Sequence, residues 1–216
     1  MDFYEYEFSD NVENSSELLD DGILLEHFCG TAENTEAVEG AEIPERYGDP
    51  VEDSKVWCKA SLGQPSAVMC EKYVAELLTG SEVSEESICE QLGNTGAFDE
   101  NLGCPRDTCG AFLESAGLET AKESGMTVAD LCNSIDSGEK VICFVNRLSL
   151  HNPELNDFPG MTADHFVEVI GIDTPDFQNG TVYLNDPYGD SGATACDVKQ
   201  FFDSWETSGR YAIFAR

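Results

Sequence analysis

Only three histidines occur in the 216 residues, and imidazole is the side chain that ordinarily gains and loses a proton near neutral pH. His165 opens an apolar run, Phe166-Val167-Glu168-Val169-Ile170-Gly171-Ile172, directly after a loop over 158–164. A histidine at the start of a strand is commonly structural. This one is set apart by Asn185-Asp186-Pro187, which closes the next strand-like run. If the two runs pair as neighbours, the start of one lies beside the end of the other. Asp186 then accepts a hydrogen bond from one ring nitrogen of His165, fixing its tautomer and favouring the imidazolium, as the third member of a triad does. His27 falls in an acidic N-terminal helix and His151 in a polar loop over 149–157; both are read as incidental.

Such a pair serves a nucleophile best at a helix N-terminus. There the macrodipole lowers a thiol pKa, and backbone N–H groups face a developing oxyanion. Ser66, following Pro65, heads the most apolar helix of the chain. Serine is also a favoured helix-starting residue, so Pro65-Ser66 is equally compatible with a plain helix start. The nine cysteines, at 29, 58, 70, 89, 104, 109, 132, 143 and 196, are odd in number and contain no C-x-x-C pair. That pattern suits neither a zinc site nor a disulfide framework, and free thiols are expected, with a Cys104–Cys109 pairing left open. Cys70 lies a full turn inside the helix on its apolar stripe, and Cys58 adjoins Trp57; neither is placed as a nucleophile. A D-x-D-x-D-G calcium loop is absent, and no metal or cofactor is expected.

The elements that must position these residues follow from periodicity. Met69/Cys70, Tyr73/Val74 and Leu77/Leu78 recur every four residues, giving a helix over 66–78 that Gly80 ends. Helices are predicted over 84–92 and 108–116, with a glycine-rich connection between them. Thr127 and Asp130 form a capping-box pattern that opens another, stopping at Gly138. Strands are predicted over 140–145, 165–172, 181–185 and 211–215, with a helix over 198–205 before the last. Helices first and an antiparallel sheet later is an α+β order. Residues 1–46 are rich in Asp, Glu, Asn and Ser, with one helix over 16–28. They read as an acidic arm or propeptide-like segment before a domain over 47–216.

The charge balance narrows the partners. There are 43 acidic and 11 basic residues, a net charge of −32. With no Lys/Arg cluster, nucleic acid and anionic membranes are not expected as partners. A solvated acidic surface accounts for the excess, as would a surface that attracts basic peptides or cations. No apolar run is long enough to span a bilayer. The opening Met-Asp-Phe-Tyr-Glu-Tyr-Glu lacks the pattern of a signal peptide, so a cytoplasmic protein, or a secreted one with its signal removed, is expected.

Several segments together resemble the C39-like cysteine peptidases, a papain-like family. Gly48-Asp49-Pro50, then Trp57-x8-Ser66-Ala67-Val68, then Leu78-Thr79-Gly80 resemble the opening of those domains. There a Trp is followed three residues on by a Gln and six further on by a Cys heading a helix. Asp164-His165-Phe166-Val167-x-Val169-Ile170-Gly171-Ile172-Asp173 resembles the family's histidine strand, and Val182-Tyr183-Leu184-Asn185-Asp186-Pro187 its acidic one. The resemblance covers about residues 47–216 and implies a papain-like α+β fold, with N-terminal helices packed on a C-terminal antiparallel sheet. It also implies a peptide or protein substrate and a Cys/His/Asp triad with an oxyanion-holding Gln. Counted from Trp57, the cysteine position is Ser66 and the glutamine position is Ala60. A second register sets Leu62-Gly63-Gln64-Pro65-Ser66 against Cys-Gly-Gln-Ala-Ser and puts Leu62 at the nucleophile. The Ser66 register agrees with the family at both Trp57 and Gly80.

A serine hydroxyl ionises far less readily than a thiol, and loss of an oxyanion donor costs about 3–4 kcal/mol. Little or no turnover is therefore expected. Two readings stand: a working peptidase in which a cysteine at 66 and a glutamine at 60 have been replaced, or a natural pseudopeptidase that keeps the cleft and binds. An acyl-transfer enzyme with the same triad logic is a weaker alternative, marked by amine incorporation.

Overall fold

The structure is a computed structural model of the chain; it describes residues 46–61, 65–98, 104–155, 160–173 and 179–216. The expected helix over 16–28, His27 and Cys29 lie outside the described residues, as do Leu62, Gly63 and Gln64 of the alternative register.

A seven-stranded antiparallel sheet forms the centre. Its strands are β1 (Arg46–Gly48), β2 (Thr120–Glu123), β3 (Lys140–Val145), β4 (His165–Asp173), β5 (Thr181–Asn185), β6 (Thr194–Asp197) and β7 (Ala212–Ala215). The spatial order is β2-β7-β3-β4-β5-β6, and β1 pairs with the far end of β4 through Gly48 and Gly171. β4 is buried over all but its last residue, because both faces of the sheet are covered; hence its nearly unbroken apolar run, interrupted by Glu168.

One face carries α2 (Ser66–Thr79), α3 (Glu85–Thr95) and the short α4 (Ala111–Ser115). Val68, Val74, Ile88, Leu92 and Leu113 pack there with Phe166 and Ile213. The other face carries α5 (Val128–Asp136) and α7 (Val198–Glu206), whose Leu131, Phe201 and Trp205 meet Val141, Val167 and Val169. The α+β expectation holds. The helix expected over 108–116 is shorter, starting only at Ala111. Its first turn is held by the buried Glu71 of α2, whose Oε2 accepts from the backbone N–H of Phe112 and Leu113. The capping box at Thr127 and Asp130 forms as its sequence implies.

Three elements without a strong pattern of their own complete the site. α1 (Pro50–Asp53) and a 3-10 turn (Ser54–Val56) lead to Trp57. α6 (Arg147–His151) replaces part of the polar loop expected over 149–157. Cys104 and Cys109 are both free thiols and are not paired with each other. Among the described residues no helix is long and apolar enough to cross a membrane, and no cluster of His, Cys, Asp or Glu is placed to hold a metal ion.

Candidate active site

β4 and β5 pair antiparallel with Glu168 opposite Asn185, so His165 at the start of β4 comes beside Asp186 just past β5. His165 Nε2 lies 2.7 Å from Asp186 Oδ1, and both side chains are only 1% exposed. The same Oδ1 accepts from the backbone N–H of Tyr188 at 2.8 Å. The other oxygen, Oδ2, lies 3.0 Å from Nε2 of His151. Burial alone would raise the Asp186 carboxyl. The hydrogen bonds from His151 and His165, the charge of His165 and the Tyr188 N–H outweigh it and hold the group well below the ordinary carboxylate range.

An ionised carboxylate can only accept, so both histidines present Nε2–H to it. Nδ1 of His165 is buried and has no hydrogen-bond partner among the described residues. In the neutral ring this nitrogen carries a bare lone pair. Tyr188 stacks over the face of this ring, with centroids 5.0 Å apart, and the guanidinium of Arg147 lies 5.0 Å over Tyr188.

Ser66 is the first residue of α2, after Pro65 in an extended conformation, and is 6% exposed. Its hydroxyl does not cap its own helix. Instead Oγ accepts from the backbone N–H of Phe166 at 2.9 Å, one residue beyond His165. The helix carries no acidic residue in its first turn to offset the macrodipole there. The backbone N–H of Ala60 donates to the carbonyl of Pro187 at 2.9 Å. Trp57 donates from Nε1 to the carbonyl of Asp186 at 2.8 Å, tying the strand-like stretch before α2 to the acidic loop. Ser66 and Ala60 are thus drawn to the same two strand ends as His165 and Asp186. Position 60 presents a methyl group there.

Cys70 is fully buried, and desolvation pushes its thiol well above the ordinary range. It is no source of thiolate. The carbonyl of Cys58 accepts from the hydroxyl of Tyr73, anchoring the same segment as Trp57. His151, read from sequence as incidental, is on the candidate carboxylate. The available signal was Asn146, a helix-starting residue whose side chain accepts from Ser149 N–H and opens α6.

The sequence profile of the Peptidase_C39 like family matches residues 52–213. The chain belongs to the Peptidase C39-like family. No curated protein matches the sequence. Among solved structures, a protein from Bacillus anthracis described as a C39-like peptidase is 16% identical, with a TM-score of 0.57 over 80% of this chain and 98% of that one. The peptidase domain of Streptococcus ComA, a bifunctional ABC transporter involved in quorum sensing, is 17% identical, with a TM-score of 0.51 over 74% and 96%. At these identities the likeness is one of fold. This C39-like chain has the α+β papain-like architecture that the sequence implied.

Proposed function

We propose that the chain is a C39-like peptidase in form, with Ser66, His165 and Asp186 at the triad positions and Ala60 at the oxyanion position, and that it turns over little or no peptide as written. The reading rests above all on His165. Its Nε2–H is committed to an ionised Asp186, while its Nδ1 is buried, with no hydrogen-bond partner among the described residues, at the strand end where Ser66 meets Phe166. That is the tautomer a base needs to take a proton from a nucleophile.

With a cysteine at position 66, the thiolate would attack a peptide carbonyl and His165 would protonate the leaving amine. Asp186 would orient the ring, and the backbone N–H of residue 66 with a side chain at 60 would hold the oxyanion. With serine, the helix dipole and imidazole do not yield an alkoxide, and the methyl of Ala60 contributes no donor. Peptide binding in the cleft, without hydrolysis, is what these residues leave.

The test compares the chain with Ser66→Cys and with Ser66→Cys/Ala60→Gln on a mixed peptide library. Cleavage is expected only after Ser66→Cys, with Ala60→Gln adding about 10²-fold. Silence from both folded variants would overturn the peptidase assignment of position 66 and favour a protein that only binds.

A further inference from the structure

The geometry around Asp186 assigns a role to a residue outside the triad positions. A triad carboxylate normally serves one imidazole; this one serves two. His151 sits at the end of α6, and the helix beneath it is fixed by its neighbours. Leu150 beside it is buried, its carbonyl accepts from Nε2 of Gln200 at 2.6 Å, and Asn146 caps the helix start. From that anchored position Nε2 reaches Oδ2 of Asp186 at 3.0 Å. The His151 side chain is 43% exposed and the Asp186 side chain 1%. A cavity of about 180 Å3, lined by Leu150, His151, Leu184, Asp186, Cys196 and Gln200, opens beside the contact. His151 is therefore a solvent-reachable imidazole on a buried carboxylate.

We propose that His151 is a positioning residue for the His165–Asp186 pair: it takes a share of the Asp186 carboxylate and thereby sets how strongly that carboxylate favours a second proton on His165. Each N–H aimed at the carboxylate neutralises part of its charge, and a protonated His151 neutralises more. His165 then faces a weakened anion. Other charged groups nearby are Asp197, which lines the same cavity and caps α7, and Arg147 on the same helix as His151, turned onto Tyr188.

This inference deepens the proposed function and rests on its choice of His165 and Asp186. Its test needs no substrate. The full chain, labelled with 15N at its three histidines, is followed by ring 15N–1H NMR across pH, with assignments from single substitutions. Because one carboxylate serves both rings, the signals of His151 and His165 are expected to respond to each other's protonation and move through two shared steps. His151→Gln keeps an N–H donor but has no proton to lose, so His165 should then follow a single step. His151→Leu removes the donor as well and should move that step to higher pH by about one unit relative to the native chain. A His165 curve that is unchanged in both variants, or moved to lower pH, overturns the proposal. If the Leu variant does not fold, the loss or persistence of the shared steps in the Gln variant decides alone. Failure of cleavage after Ser66→Cys would leave this result standing, and an unchanged NMR curve would leave the cleavage result standing.

Discussion

Glu168 points from the centre of β4 into the interior, with Oε2 accepting from Asn185 Nδ2 at 2.8 Å and Oε1 without a partner among the described residues. Desolvation pushes this carboxyl up to about 8, and the nearby Asp53 adds to the rise while Asn185 and Lys140 oppose it. Glu71 is in the same situation under α4, pushed up by burial to about 7 against its backbone hydrogen bonds. Both groups keep a proton in the folded chain at pH values where an unfolded Glu, ionising near ~4.3, has lost it. Between about pH 4.3 and 8 the folded state therefore binds more protons than the unfolded one, and stability falls as pH rises. Glu168→Gln removes one source of that slope while keeping the acceptor for Asn185. The denaturation midpoint of the variant should match the native chain at pH 5 and exceed it at pH 8, by on the order of 2–4 kcal/mol. Equal differences at both pH values would mean that Glu168 is already ionised in the fold.

At the scale of elements, β1 is seated on β4 by a close approach at Gly48. Gly48 has φ +80, and a Cβ there would lie 2.5 Å from the carbonyl oxygen of Ile170 and 2.9 Å from Cγ2 of Ile135. Gly80, at the end of α2, has φ +67 with nothing within 4 Å. Gly80→Ala should cost about 1 kcal/mol for the left-handed backbone alone. Gly48→Ala carries that cost plus a collision with backbone, and should lose about 2 kcal/mol more in urea denaturation. Equal losses would show that β1 is not held against β4. Sequence could not announce β1, β2 or β6. They have three or four residues each, largely exposed, and exist because β4, β7 and β5 offer unpaired edges. β3 and β5, rich in β-branched and aromatic residues, were legible to the residue, as was the start of α5 from its capping box. His165 and Asp186 were legible because each ends a readable strand and neighbouring strands bring those ends together. His151 was not, since its importance lies in a carboxylate 35 residues away.

Across the whole molecule, 11 basic residues face 43 acidic ones, so most carboxylates have no cation to pair with. Among the described residues the ion pairs are mainly at the surface, as between Lys59 and Asp190, where Asp190 is 99% exposed; such pairs are worth roughly 0–1 kcal/mol each. Self-repulsion of the remaining charge opposes compaction and acts over the Debye length, roughly 10 Å at 0.1 M salt and 3 Å at 1 M. Added NaCl screens both the pairs and the repulsion, but repulsive contacts far outnumber attractive ones, so the balance favours the fold. The thermal midpoint at pH 7.5 should rise steadily from 0.05 to 1 M NaCl. At pH 4.5, where many exposed carboxyls are half protonated, the same salt increment should raise it less. A midpoint that is flat or falls with NaCl at pH 7.5 would mean that the excess charge is already spread far enough apart to cost the fold little.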